Sequence, residues 1–350
     1  VKKQFFVVGA GLLFLAAVSS FSSNASGSAD PADSLLFRTP KNFPAPVYNF
    51  QGNHLTEAGF KLGRKLFYDP ILSSDKSISC ANCHQQFASF AQLDHPVSHG
   101  VDDCLGTRNT PTLINLAWEK EFMWDGGVNH IEISSMNALT NPCEMANNLP
   151  EIVKRLKQSE SYPALFKQVF QTDEINSQLF FKAITQFIGT LVSANSKYDQ
   201  VIRHENGAKF TDPELSGYAL FKTNCAACHS EPLFTDQSYR NKGLDLKSDD
   251  AGRDSITHLA SDHGKFRVPT LRNVEVSSPY MHDGRFNTLE EVLEHYNSGV
   301  HNAPNLDPLL KQNGHLGISL NKQQQSQLIA FLKTLTDRQF LNNDLFKEPK

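Results

Sequence analysis

The chain has 350 residues with 33 Lys and Arg against 37 Asp and Glu, a formal charge of -4 and a pI near 6.4. That balance, without any block of basic residues, excludes the electrostatic footprint of a nucleic-acid-binding protein. The length suffices for two ordinary domains, each with its own core.

Residues 1–29 begin with Lys2 and Lys3, continue through an apolar run at 5–18, and finish in small residues ending at Ala29. This reads as a cleaved signal peptide of an exported, periplasmic protein, because the run falls short of the roughly 20 apolar residues of a spanning helix. No membrane span is expected after cleavage. Residues 30–54 then form an N-terminal extension, followed by an N-terminal domain at 55–203 and a C-terminal domain at 204–350.

Each domain carries one Cys-x-x-Cys-His motif, Cys80-Ala81-Asn82-Cys83-His84 and Cys225-Ala226-Ala227-Cys228-His229. In c-type attachment two thiols add across the haem vinyl groups and the adjacent imidazole becomes the proximal iron ligand. Zinc sites and redox dithiols use paired cysteines too, but neither needs a histidine directly after each second cysteine. Two covalently bound c-type haems are therefore expected. Cys104 and Cys143 remain, and an oxidising compartment permits a disulfide between them without establishing one.

The surroundings of the two motifs repeat. Gly63-Arg64-Lys65-Leu66-Phe67 matches Gly217-Tyr218-Ala219-Leu220-Phe221, and Pro111-Thr112-Leu113-Ile114-Asn115 matches Pro269-Thr270-Leu271-Arg272-Asn273. Asp125-Gly126 matches Asp283-Gly284, and in both copies ten positions separate the Asn from the Asp. Such spacing argues duplication of one haem-binding domain in a mainly α fold. Apolar periodicity predicts a long helix from Ser177 to Arg203. Thr211 should cap a second helix, with proline at its first position, leading to Cys225. Further helices are expected at 288–297 and 321–336, and a long loop at 298–317.

The copies differ at one telling place. Tyr296 stands thirteen residues after Asp283, and Ala138 thirteen residues after Asp125. A phenol can ligate iron and a methyl cannot, so one iron would be closed by His229 and Tyr296 while the other stays accessible. Met281 and His295 are the alternative ligands. Peroxide cleavage at an accessible haem needs a nearby acid-base group, and Glu144, in Asn141-Pro142-Cys143-Glu144-Met145, is the choice. Its plainer reading is a cap for the helix that begins near Leu149.

Both haem motifs, Arg108-Asn109-Thr110-Pro111-Thr112, Trp124-Asp125-Gly126, Asn141 to Met145, Phe266 to Asn273 and Pro279-Tyr280-Met281-His282-Asp283-Gly284 together resemble the bacterial dihaem cytochrome c peroxidase and MauG superfamily. The resemblance runs from about Leu55 to Leu335. It implies two cytochrome c-like domains, an N-terminal peroxidatic haem and a C-terminal electron-transfer haem. It also implies a catalytic Glu144, a relay Trp124 between the haems, and a removable iron ligand at His99, with His95 or no histidine as the alternatives. Arg108, Arg267 and Arg272 become candidates for the haem propionates. Asn109 by its side chain, with Ser277 and Pro279 by their carbonyls, matches a calcium site. Tyr296 in place of the methionine of classical peroxidases points to the MauG-like branch, and Ser134 and Gly127 also depart from the peroxidase pattern.

The function so implied is reduction of hydrogen peroxide to water with electrons from a small periplasmic donor, a c-type cytochrome or a cupredoxin. Two alternatives stand beside it: a MauG-like enzyme that spends peroxide-derived oxidising equivalents on side chains of a partner protein, and a dihaem electron carrier without catalysis. A homodimer is left open.

Overall fold

The computed structural model describes residues 1–4, 36–312 and 314–349. The signal-peptide reading concerns residues that, beyond the first four, lie outside this set. The described chain is mainly helical. Its strands are two short antiparallel pairs, Tyr239–Arg240 with Phe266–Arg267 and Lys311–Gln312 with His315–Leu316.

Two helix pairs form the two cores. The Glu57–Tyr68 helix, capped by Thr56 Oγ1 accepting from Gly59 N at 3.0 Å, buries Phe60, Leu62, Leu66 and Phe67. These pack with Phe180, Ala183, Ile184 and Phe187 of the Ser177–Ile188 helix. In the second half, Asp212–Asn224 packs on Lys322–Lys333, with Phe221 against Leu328, Phe331 and Leu332. Thr211 and Glu214 form a capping box there, and Pro213 sits one position further into the helix than the sequence suggested.

The matched glycines explain how closely the pairs approach. A Cβ at Gly63 would run into the Ala183 carbonyl, and one at Gly217 into the Gln327 carbonyl. Backbone cannot yield as a flexible side chain can, so Gly217→Ala is expected to cost about 1–3 kcal/mol. A thermal unfolding midpoint of the holoprotein unchanged from wild type would contradict this.

The repeat persists in backbone geometry. Phe90 and Phe234 are both left-handed (φ 57° and 56°), as are Asn115 and Asn273 (57° and 59°) and Met123 and Met281 (70° and 75°). The Thr112 hydroxyl donates to the Ser89 carbonyl, as that of Thr270 does to Leu233. Non-glycine residues rarely adopt these angles, so their recurrence at matched positions is strong structural support for duplication.

The long helix expected from Ser177 to Arg203 is two helices, Ser177–Ile188 and Lys197–Ile202. Between them the backbone finds other partners. Asn115 clasps Ser193, accepting from its N and donating to its O at 3.0 and 3.1 Å, while one oxygen of Asp337 accepts from Ala194 N and Asn195 N at 3.0 and 2.8 Å. Tertiary hydrogen bonds thus replace the helical ladder. The helix expected at 288–297 is likewise shorter, Leu289–Glu294, and widens into a π-type turn at His295–Gly299. The tail also departs from a simple two-part division: Phe340, Leu341 and Phe346 return to pack in the first core. Among the described residues no helix is long and apolar enough to cross a membrane.

Candidate haem sites and the junction between them

Each histidine of the two motifs follows its cysteines through a tight turn, His84 N donating to Cys80 O and His229 N to Cys225 O, both at 2.9 Å. Their Nδ1 atoms then meet carbonyls, that of Phe90 at 2.8 Å and that of Phe234 at 3.1 Å. A carbonyl can only accept, so the proton lies on Nδ1 and Nε2 is left as a lone-pair donor, the form a metal requires. Burial lowers the pKa of both imidazoles, that of His84 to about 4, and keeps them neutral. Both are crowded by neighbours yet retain accessible surface. The four motif cysteines are unpaired, and burial pushes the thiols up, Cys80 and Cys225 to about 12 and Cys83 to about 11. Two free thiols and one oriented imidazole, twice over, fit two covalently attached haems.

Glu144 lies in the turn after the Met136–Thr140 helix, where Asn141 Nδ2 donates to its carboxylate at 2.8 Å. It is not the cap of the next helix: Asn148 fills that role, accepting from Glu151 N at 2.9 Å. Burial raises the Glu144 pKa above the usual carboxylate value, and its charge adds to the rise at Cys83, which places it within electrostatic reach of the first motif. Two ties hold this turn to the preceding loop, the Cys104–Cys143 disulfide and Val101 N donating to Glu144 O at 2.8 Å. Replacing both cysteines by serine is expected to cost about 2–5 kcal/mol, read as a lower unfolding midpoint of the non-reduced protein. A midpoint equal to wild type would show the bridge to be dispensable.

Tyr296, the repeat counterpart of Ala138, lies within electrostatic reach of the second motif. Burial, and then Cys225 and Cys228, push its phenol well above its usual value. The alternative ligand His295 donates through Nε2 to the Lys242 carbonyl at 3.1 Å. Ala138 offers only a methyl at the equivalent point of the first half.

Trp124 bridges the halves: its Nε1 donates to Asn109 O at 2.7 Å, and its carbonyl accepts from Arg267 N at 2.8 Å. Asn109 is buried, donates through Nδ2 to Pro96 O at 3.0 Å, and through its backbone N to His282 O at 2.7 Å. That bond joins it to the segment carrying Ser277 and Pro279. Arg108 holds Asp250 in a fork at 2.7 and 2.8 Å and reaches Asp125 at 2.5 Å. Arg267 pairs with Glu119 at 3.0 Å.

Arg272 is a correction. Its guanidinium is fully buried and spends its N–H donors on Asp199, Pro232 O and Ser193 O, which leaves none for a propionate. His99 Nδ1 meets Asp103 at 2.6 Å, and 38% of its side chain is accessible. Lys242, His282 and Asp199 were not singled out from sequence. A lysine in Arg-Asn-Lys-Gly and an aspartate in a helical stretch carry no signal until their neighbours are known.

Duplicated helix pairs, each presenting thiols and a neutral imidazole, define a c-type cytochrome carrying two haems. The chain belongs to the di-haem cytochrome c peroxidase family, whose profile matches residues 57–207 and 208–332. It is 34% identical over 330 residues to the methylamine utilization protein MauG of Methylorubrum extorquens, covering 91% of this chain and 90% of that one. To the cytochrome c551 peroxidase of Nitrosomonas europaea it is 34% identical over 285 residues, 80% of each chain. The solved structure of a MauG-like protein associated with microbial copper homeostasis superposes with a TM-score of 0.81 at 30% identity, covering 89% of this chain and 99% of that one. The protein is accordingly a haem oxidoreductase of the dihaem peroxidase type.

Proposed function

We propose that this protein reduces hydrogen peroxide to water outside the cytoplasm, consuming two protons and two electrons and releasing two waters per peroxide. When bound, the haem at Cys80 and Cys83 supplies the iron at which the O–O bond breaks, and the haem at Cys225 and Cys228 supplies a second electron store. Glu144 takes the proton from one peroxide oxygen and returns it to the other, which then leaves as water. Ala138 leaves room for the oxidant, whereas Tyr296 fills the matched position of the second site. Trp124, tied to both halves, provides the path between them. Asn109, with the carbonyls of Ser277 and Pro279, is the place for a calcium ion, which would stiffen the junction.

The observation that carries this reading is the unequal pair, a half-buried Glu144 with Ala138 in the first half and a half-buried Tyr296 beside the second motif. Steady-state peroxide consumption with a reduced c-type cytochrome or cupredoxin tests it; no turnover with either, in protein carrying both haems, would remove it. The phenol at Tyr296 favours a second reading, oxidation of side chains of a partner protein, because an anionic oxygen ligand lowers the potential of its iron. Tyr296→Met is expected to alter the low-spin spectrum of the second haem and raise its midpoint potential. An unaltered low-spin signal would refute the ligand assignment.

A further inference from the structure

Among the described residues, Lys242 at the junction has no ion-pair partner. Lys242 follows the Tyr239–Arg240 strand, and its carbonyl is fixed by His295 Nε2. Its ammonium lies 5.7 Å from the Trp124 ring centroid and 5.6 Å from that of Phe266. Among the described residues no carboxylate reaches it within ion-pair distance, and the acids around the junction are taken. Arg285 holds Asp245 and Asp283 at 2.7 and 2.6 Å, and Arg108 holds Asp125 and Asp250. Glu119 pairs with Arg267 and Glu121 with Arg253, both at 3.0 Å.

The surroundings are enclosed as well as uncompensated. Burial brings the Lys242 pKa down to about 8, only partly offset by Asp283. Its charge adds to the effect of burial in depressing His229, His282 and His295. Next to it, His282 stacks on Phe266 at 3.6 Å, and its buried Nδ1 has no hydrogen-bond partner. Lys242, His282 and Phe266 line a cavity of about 10 Å³, room for about one water. A half-buried ammonium without an ion-pair partner, beside a buried and unsatisfied imidazole nitrogen, is unfavourable unless an anion completes the site.

We propose that Lys242 is the counter-ion of a propionate carboxylate of the haem attached at Cys225 and Cys228, and that it holds this carboxylate beside Trp124. The second haem is assigned because the Lys242 backbone is anchored through His295, the neighbour of Tyr296. Lys242 is thus a positioning residue, taking the place that Arg272 cannot fill. The inference rests on the two-haem reading above.

The test compares wild type, Lys242→Met, Lys242→Gln and Lys242→Arg as holoproteins, with haem counted first by pyridine haemochrome. Fewer than two haems per wild-type chain would overturn the two-haem reading itself. With two haems present, loss of the cation in the Met or Gln variant is expected to shift the low-spin haem's midpoint potential downward and to move its propionate bending band in resonance Raman spectra. Arginine should restore both. Midpoints unchanged, or shifted equally at both haems, with the propionate band in place, would overturn the assignment while leaving the two-haem reading intact.

Discussion

Glu144→Gln should retain both haem spectra and lose peroxide reactivity by roughly 10²–10⁴-fold, the usual contribution of a positioned acid-base group. The amide keeps the size of the side chain and can still face Asn141, so the turn bound by the Cys104–Cys143 bridge has no reason to move. What disappears is the group that exchanges a proton. Because burial raises the Glu144 pKa, the wild-type rate constant should climb with pH along a limb lying above the ordinary carboxylate range, as the proton-accepting carboxylate forms. The Gln variant should lack that limb. Stopped-flow measurement of the reaction with peroxide reads both effects. A Gln variant as fast as wild type would take Glu144 out of the mechanism.

Asp199→Ala should be the most damaging single change to stability, about 3–5 kcal/mol, the range for stranding one partner of a buried ion pair. Asp199 and Arg272 are both wholly buried, with two contacts at 2.9 Å. The same carboxylate accepts from Asn42 Nδ2 at 2.9 Å and from Ser196 N and Oγ at 3.0 and 2.8 Å. Alanine removes all of these and leaves the Arg272 guanidinium uncompensated over the Phe43 ring, 4.6 Å away. The double variant Asp199→Ala with Arg272→Met should recover part of the loss, since it removes the stranded charge. Denaturant unfolding of the holoproteins measures the series, and a single variant within 1 kcal/mol of wild type, well below the range quoted, would contradict the argument.

The same pair gives a pH dependence of known sign. Burial alone would raise the Asp199 pKa, but the hydrogen bonds and charge of Arg272, with Asn42 and Ser196, outweigh it and hold the carboxyl below its usual value. The folded-state pKa is therefore depressed. Its stabilisation is present above the unfolded value, about 3.9, and is lost as pH falls toward and through the folded one. Acid unfolding of wild type should show that loss, and Asp199→Ala should show less of it.

What could be read in advance divides along physical lines. Helix starts with their own local chemistry were legible: Thr211 caps one helix as expected, and the other expected start, 321, is the Asn321 cap of Lys322–Lys333. The break after Ile188 was not, because the groups that open it, Asn115 and Asp337, are distant in sequence. Tyr296 could be singled out by superposing one copy of the repeat on the other. Arg272 was misread for the converse reason: the family resemblance and its guanidinium suggested a cofactor contact, while its actual partner, Asp199, lies in the segment that joins the two halves.

The sequence by itself determined the covalent chemistry of this protein, two thiol pairs each followed by an imidazole, and the duplication that sets them in equivalent surroundings. Those features depend on spacing along one chain, and spacing is preserved on folding. Only the tertiary structure decided which charges are spent and which are left over, sealing Arg272 with Asp199 and leaving Lys242 beside Trp124 without an acid among the described residues. Charge compensation in an enclosed space is settled by what surrounds a group on every side, and those neighbours come from segments that no local pattern connects.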